Sequence, residues 1–152
     1  MAYRNKRLQL EQIDEQLLKL KRIEIGIPQS GWINAIRTAI GMSARQLANR
    51  LNISQQALDA LEKREVEESI TLAKLREVGE KLDLKLVYSF VPRESLDNMV
   101  RAQSIEIAKS IVLKTSKQMT IEDQKVRDEK LIKSIEKRAK EIESKMPKYL
   151  WD

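Results

Sequence analysis

The chain has 152 residues, with 29 Lys/Arg against 23 Asp/Glu, a net charge of +6, and neither cysteine nor histidine. Those two absences exclude disulfides, thiolate nucleophiles, Cys/His zinc sites and imidazole acid–base chemistry. No stretch approaches the roughly 18 unbroken apolar residues of a membrane span. The start, Met1-Ala2-Tyr3-Arg4-Asn5-Lys6-Arg7, leads into an amphipathic segment and not into a signal peptide's apolar region. The expectation is a soluble, cytoplasmic protein with no membrane contact and no cofactor. Four glycines, three prolines and 4% aromatics point to helices, and 34% charged residues require many solvated helical faces.

Residues 4–24 read as a helix, since Leu10, Ile13, Leu17 and Leu20 form one narrow stripe. Such an arm packs either on its own domain or on a partner. Ile23, Ile25 and Ile27 then alternate with Glu24 and Gly26, which predicts a short strand ending at Pro28. Residues 30–40 form a helix stopped by Gly41. Ser43 and Gln46 fit a capping box at the start of a second helix, which turns Leu47, Ala48 and Leu51 inward. A break at Asn52-Ile53 follows, with Asn52 suited to positive φ. Ser54 caps a third helix to about Arg64, with Leu58 and Leu61 inward. Residues 65–68 are a polar connection, and Thr71 opens a fourth helix with Leu72, Leu75, Val78 and Leu82 facing in.

Residues 84–91 read as a second strand, closed by Pro92, from their β-branched and aromatic content. A lone strand leaves backbone groups unpaired, so it pairs either with 23–27 or with its own copy across a dimer axis. Helical stripes return at Leu96, Met99, Val100, Ile107, Ala108, Ile111 and Val112, and at Leu131, Ile135, Ala139, Ile142 and Met146. Pro147 ends the last one before Tyr149-Leu150-Trp151-Asp152. The fold expected is mainly α: a helix-turn-helix bundle with one or two short β-strands and long helical extensions. Its parts are an arm at 1–29, the helix-turn-helix domain at 30–83, the strand at 84–92 and a helical region at 93–152.

Residues 43–64 carry the functional signal. Two capped helices about a tight break, with small Ala48 at the crossing and Ile53 and Leu58 in the angle, follow the pattern of a helix-turn-helix. Ser54, Gln55, Gln56, Ala57 and Asp59 then face DNA bases. A Gln amide pairs with adenine N6 and N7, Ala57 packs on a thymine methyl, and Asp59 either accepts from cytosine N4 or merely repels phosphate. Arg45, Arg50, Lys63 and Arg64 flank that face as phosphate contacts. Residues 30–92 hold nine basic and eight acidic side chains, a net of only +1, so dimerisation is expected to supply affinity. The expected partner is double-stranded DNA carrying an inverted repeat, read by a homodimer with half-sites about 34 Å apart. The dimer surface is a choice among strand 84–91, helix 4–24 and helix 95–118. Leu86, Tyr88 and Phe90, with Tyr149, Leu150 and Trp151, are candidate dimer or partner contacts.

The segment 43–64 resembles the helix-turn-helix of the XRE class of phage-repressor-type regulators, whose Glu after the recognition helix is matched by Glu62. Ala44 stands where that class often has Gln, and Asn52 replaces the turn glycine. A longer set of motifs is similar to the mobile mystery protein A family: Gly31-Trp32-Ile33-Asn34-Ala35-Ile36-Arg37, Leu82-Asp83-Leu84-Lys85-Leu86-Val87-Tyr88, Val91-Pro92, Met119-Thr120-Ile121-Glu122-Asp123-Gln124 and Leu150-Trp151-Asp152. That resemblance implies a regulator of a mobile element, encoded beside a Fic-domain partner and acting as the antitoxin-like autorepressor of their operon. The Fic-inhibiting pattern of Ser/Thr, three residues, Glu and then Gly or Asn is absent from the sequence. An alternative is a protein-binding neutraliser of the partner that works through the terminal helices, with DNA binding secondary. No Gly-rich phosphate loop, nucleophile elbow or metal motif argues for an enzyme, and the adjacent Glu122 and Asp123 are a poor signal for a hard cation.

Overall fold

The computed structural model describes residues 2–23, 25–116 and 124–152. Its elements are α1 (Ala2–Lys21), α2 (Gly31–Ala39), α3 (Ala44–Leu51), α4 (Gln55–Val66), α5 (Leu72–Lys81), α6 (Leu96–Ser116), α7 (Gln124–Lys145) and a short 3-10 turn, Lys148–Trp151. They fall into two units. One is Glu24–Ser89; the other joins Met1–Ile23 to Phe90–Asp152. The motif stretch at 119–123, including Glu122 and Asp123, lies outside the described residues. No helix among the described residues is long and apolar enough to cross a membrane.

In the central unit the sequence sets helix boundaries with side-chain caps. Ser43, Ser54 and Thr71 each accept a hydrogen bond from the backbone N–H three residues on, at 3.1–3.2 Å. The exits share a second device. Gly41, Asn52, Glu68 and Asp83 all adopt positive φ, between 54° and 70°. Each is followed by an N–H that reaches back five residues: Met42 to Arg37, Ile53 to Ala48, Ser69 to Arg64 and Leu84 to Gly79. This is the Schellman closure, which satisfies carbonyls that a helix end leaves orphaned.

Between these ends, Ile33, Leu47, Ala48, Leu51, Leu58 and Val78 form the core, with Met42, Ile53, Ile70, Leu75 and Leu82 packed at its edge. Leu72, expected inward, is instead exposed, because α5 turns only its Leu75–Val78–Leu82 side to the core. The N-terminus of α2 is held by a distant carboxylate. Glu65 accepts from Trp32 N at 2.8 Å and from Ile33 N at 2.9 Å, placing an anion on the positive end of the helix. Gly31 makes this possible, since its φ is +78° and a Cβ there would lie 2.8 Å from Glu65 Oε2. Gly31→Ala should therefore cost about 1–3 kcal/mol in urea unfolding, from backbone strain plus the displaced cap. An unchanged midpoint would refute the close approach.

The two predicted strands are a correction. No strand occurs among the described residues: 25–27 and 84–91 have no regular secondary structure. The reason is local for Leu84, whose N–H is already committed to Gly79 O in closing α5. Among the described residues, Lys85 through Tyr88 make no backbone–backbone hydrogen bond, so no ladder forms there.

In the terminal unit α6 packs chiefly against α7, with α1 laid on both. Val100, Ala108, Ala139, Ile142 and Leu150 are its buried core. Of the stripe expected on α1, Leu10, Leu17 and Leu20 are half-buried, with Leu10 packed on the core, and one position departs. Ile13 is exposed, while Asp14 is buried and accepts from Leu96 N at 2.7 Å and from Asp97 N at 3.2 Å. A carboxylate capping α6 from another helix explains why this position faces inward. Arg7 adds ion pairs to Asp97 at 2.6 Å and to Glu143 at 3.8 Å.

Candidate nucleic-acid interface

The candidate surface is built on α3, the connection 52–54 and α4. The capping box closes as the sequence implies: Gln46 N donates to Ser43 Oγ at 3.2 Å, and Ser43 N donates to Gln46 Oε1 at 2.8 Å. Asn52, at φ 54° and ψ 42°, makes the left-handed turn, and Ile53 tucks against the core. Leu58 is wholly buried and Ala48 nearly so, which pins α3 and α4 together at their crossing.

This leaves one face of α4 outward. Gln55, Gln56, Asp59 and Lys63 are exposed, and they fall within one sector at 100° per residue. Among the described residues, neither the Gln55 nor the Gln56 amide has a hydrogen-bond partner in the protein. Both keep an unused donor and acceptor. The other two expected base contacts are placed less freely. Ser54 Oγ accepts from Ala57 N at 3.1 Å and so serves the helix cap, while Ala57 is half-buried. Of the four expected phosphate contacts, Arg45, Arg50 and Arg64 are exposed and take part in no ion pair among the described residues. Lys63 lies 3.7 Å from Glu67, an exposed pairing too weak to hold it.

Sequence reading missed what fixes this face in space. Arg37, on the last turn of α2, makes a two-pronged pair with Glu62 of α4, Nε to Oε1 at 2.8 Å and Nη2 to Oε2 at 3.1 Å. Asn34 Nδ2 adds a bond to Glu62 Oε2 at 2.8 Å, and Arg37 Nη1 donates to Met42 O at 3.1 Å. The hydrogen bond to Glu62 raises the Arg37 pKa further above its ordinary value. Burial pushes the Glu62 carboxyl up, but the bonds from Arg37 and Asn34 outweigh it and hold it below the usual carboxylate range. Glu62 carried a signal only through the motif match; nothing in local spacing links it to Arg37.

The expected partner contacts divide. Leu86 is half-buried beside a cleft of about 380 Å³ lined by Ile25, Trp32, Ile36, Leu75 and Leu82, whereas Tyr88 and Phe90 are exposed. Leu150 is 1% exposed and belongs to the core of its own unit, so it offers no free surface. Tyr149 and Trp151 on either side of it are exposed. No group of three metal-ligating side chains comes together among the described residues. Comparison with models of known protein families, with curated proteins and with solved structures returns no match.

Proposed function

We propose that the unit Glu24–Ser89 is a helix-turn-helix reader of duplex DNA and that the protein regulates transcription by binding as a homodimer to an inverted repeat. The observation that carries this reading is the pair of exposed glutamine amides on the first turn of α4, without a hydrogen-bond partner among the described residues. They project from a corner fixed by a capping box, a left-handed Asn52 and a buried Leu58. A Gln amide matches the adjacent acceptor and donor of adenine in the major groove. Arg45, Arg50 and Arg64, which form no ion pair among the described residues, supply cations for backbone contacts, which position the reader without specifying sequence. The narrower reading, an autorepressor beside a Fic-domain partner, rests on the motif resemblance alone.

Selection of bound duplexes from a randomised library by the full chain tests the proposal. The enriched sequences should contain two inverted half-sites centred about one helical turn apart. A pool that stays random after repeated rounds would contradict it.

A further inference from the structure

The charge of the protein is not where the reader is. Of the 29 Lys/Arg and 23 Asp/Glu, nine of each lie in Glu24–Ser89, which is therefore neutral. The remaining twenty basic and fourteen acidic residues, the whole net +6, belong to the terminal unit. Duplex DNA is bound largely by neutralising phosphates, so a neutral reader leaves most of that role unfilled.

On α7 this charge is ordered. Leu131, Ile135, Ala139 and Ile142 form the side turned to the protein, half-buried to buried. Lys130, Lys133, Lys137 and Lys140 lie on the opposite side, within a sector of about 80° at 100° per residue. All four are exposed, and none of their ammonium groups is in an ion pair or hydrogen bond among the described residues. Acids of α7 flank these lysines, but none pairs with them among the described residues. Glu141 is paired with Arg138 at 3.1 Å, Glu143 faces Arg7, and Glu129 and Glu136 border the stripe on one edge. At 1.5 Å per residue, Lys130 to Lys140 spans about 15 Å. One DNA strand presents a phosphate every 3.4 Å or so along the axis, about four over that distance.

We infer that the lysine stripe of α7 is a second, sequence-independent DNA-binding surface that grips the phosphate backbone while α4 reads bases. Lysine suits this task as a flexible point charge that needs no fixed geometry at the phosphate. The inference rests on the DNA reading proposed above and assigns the source of its affinity.

The test uses the full chain with all four lysines changed to Gln, and a second variant with all four changed to Arg. Binding to the selected duplex and to a scrambled duplex is titrated across a salt series. The Gln variant should show a log K against log salt slope shallower by about 3.6 for each bound protomer, and so by about 7 for the dimer, from about 0.9 for each phosphate that a lysine no longer neutralises. Its affinity should fall by the same factor on both duplexes, with the ratio between them kept, and the Arg variant should retain the wild-type slope. Wild-type slope and affinity in the Gln variant would overturn the second surface and leave the α4 reading standing, as would a stripe that binds only anionic vesicles. Absence of DNA binding by the wild-type chain would overturn both.

Discussion

Changing Glu62 to Ala should destabilise the central unit by about 3 kcal/mol, the largest single effect expected outside the apolar core. The side chains of Arg37 and Glu62 retain only 10% and 12% of their exposure, so removing the carboxylate strands a guanidinium that water cannot solvate. The two-pronged geometry and the added Asn34 bond put this pair above an ordinary surface contact. Replacing both partners with apolar residues, Arg37→Met with Glu62→Leu, should recover most of the loss, because neither charge is then stranded. Acid has a predictable sign. The folded Glu62 pKa lies below its unfolded value, so the stability from this carboxyl is complete above the usual carboxylate range. It is lost as pH falls through the depressed folded value. Urea midpoints taken across that range should fall less steeply for Glu62→Ala than for wild type. A variant within about 0.5 kcal/mol of wild type at neutral pH would show that the pair does not hold α2 on α4.

Changing Gln55 and Gln56 to Ala should leave the fold intact and remove sequence discrimination. Both side chains are exposed and have no partner among the described residues, so truncation creates no cavity and orphans no polar group there. Each well-formed amide–adenine pair discriminates by about 1–3 kcal/mol, roughly tenfold to a hundredfold per position. Affinity for the selected duplex should fall by that factor for each Gln that reads a base, while affinity for scrambled DNA stays put, since phosphate contacts are untouched. An equal loss on both duplexes would assign the glutamines to general adhesion. A changed thermal midpoint would mean that they support the helix.

Much of the central unit was legible because its signals are local. The caps at Ser43, Ser54 and Thr71 and the turn at Asn52 each depend on residues within four positions of one another. The exits at Glu68 and Asp83 were not legible. Acidic residues adopt positive φ less readily than Gly or Asn, and only the returning bonds from Ser69 and Leu84 justify them there. The strand expected at 84–91 illustrates the opposite failure. Its composition fits a ladder, but composition does not supply a neighbouring strand within one chain. Asp14 was missed because an aspartate on a charged helix reads as solvated until α6 brings two bare N–H groups to it. In the candidate site, the outward direction of Gln55 and Gln56 followed from helical periodicity. The clamp that orients their helix joins residues 25 positions apart and has no local signature.

The central claim, that the amides at 55 and 56 touch nucleobases, is tested most directly by a cycle that alters protein and DNA together. Adenines of the selected half-site are replaced one at a time by 7-deazaadenine, which lacks the N7 acceptor, and each duplex is titrated with wild type and with the Gln55→Ala/Gln56→Ala variant. The account predicts at least one position where wild type loses about tenfold and the variant loses nothing. Wild type indifferent to every replacement, or both proteins losing equally at each, would contradict it.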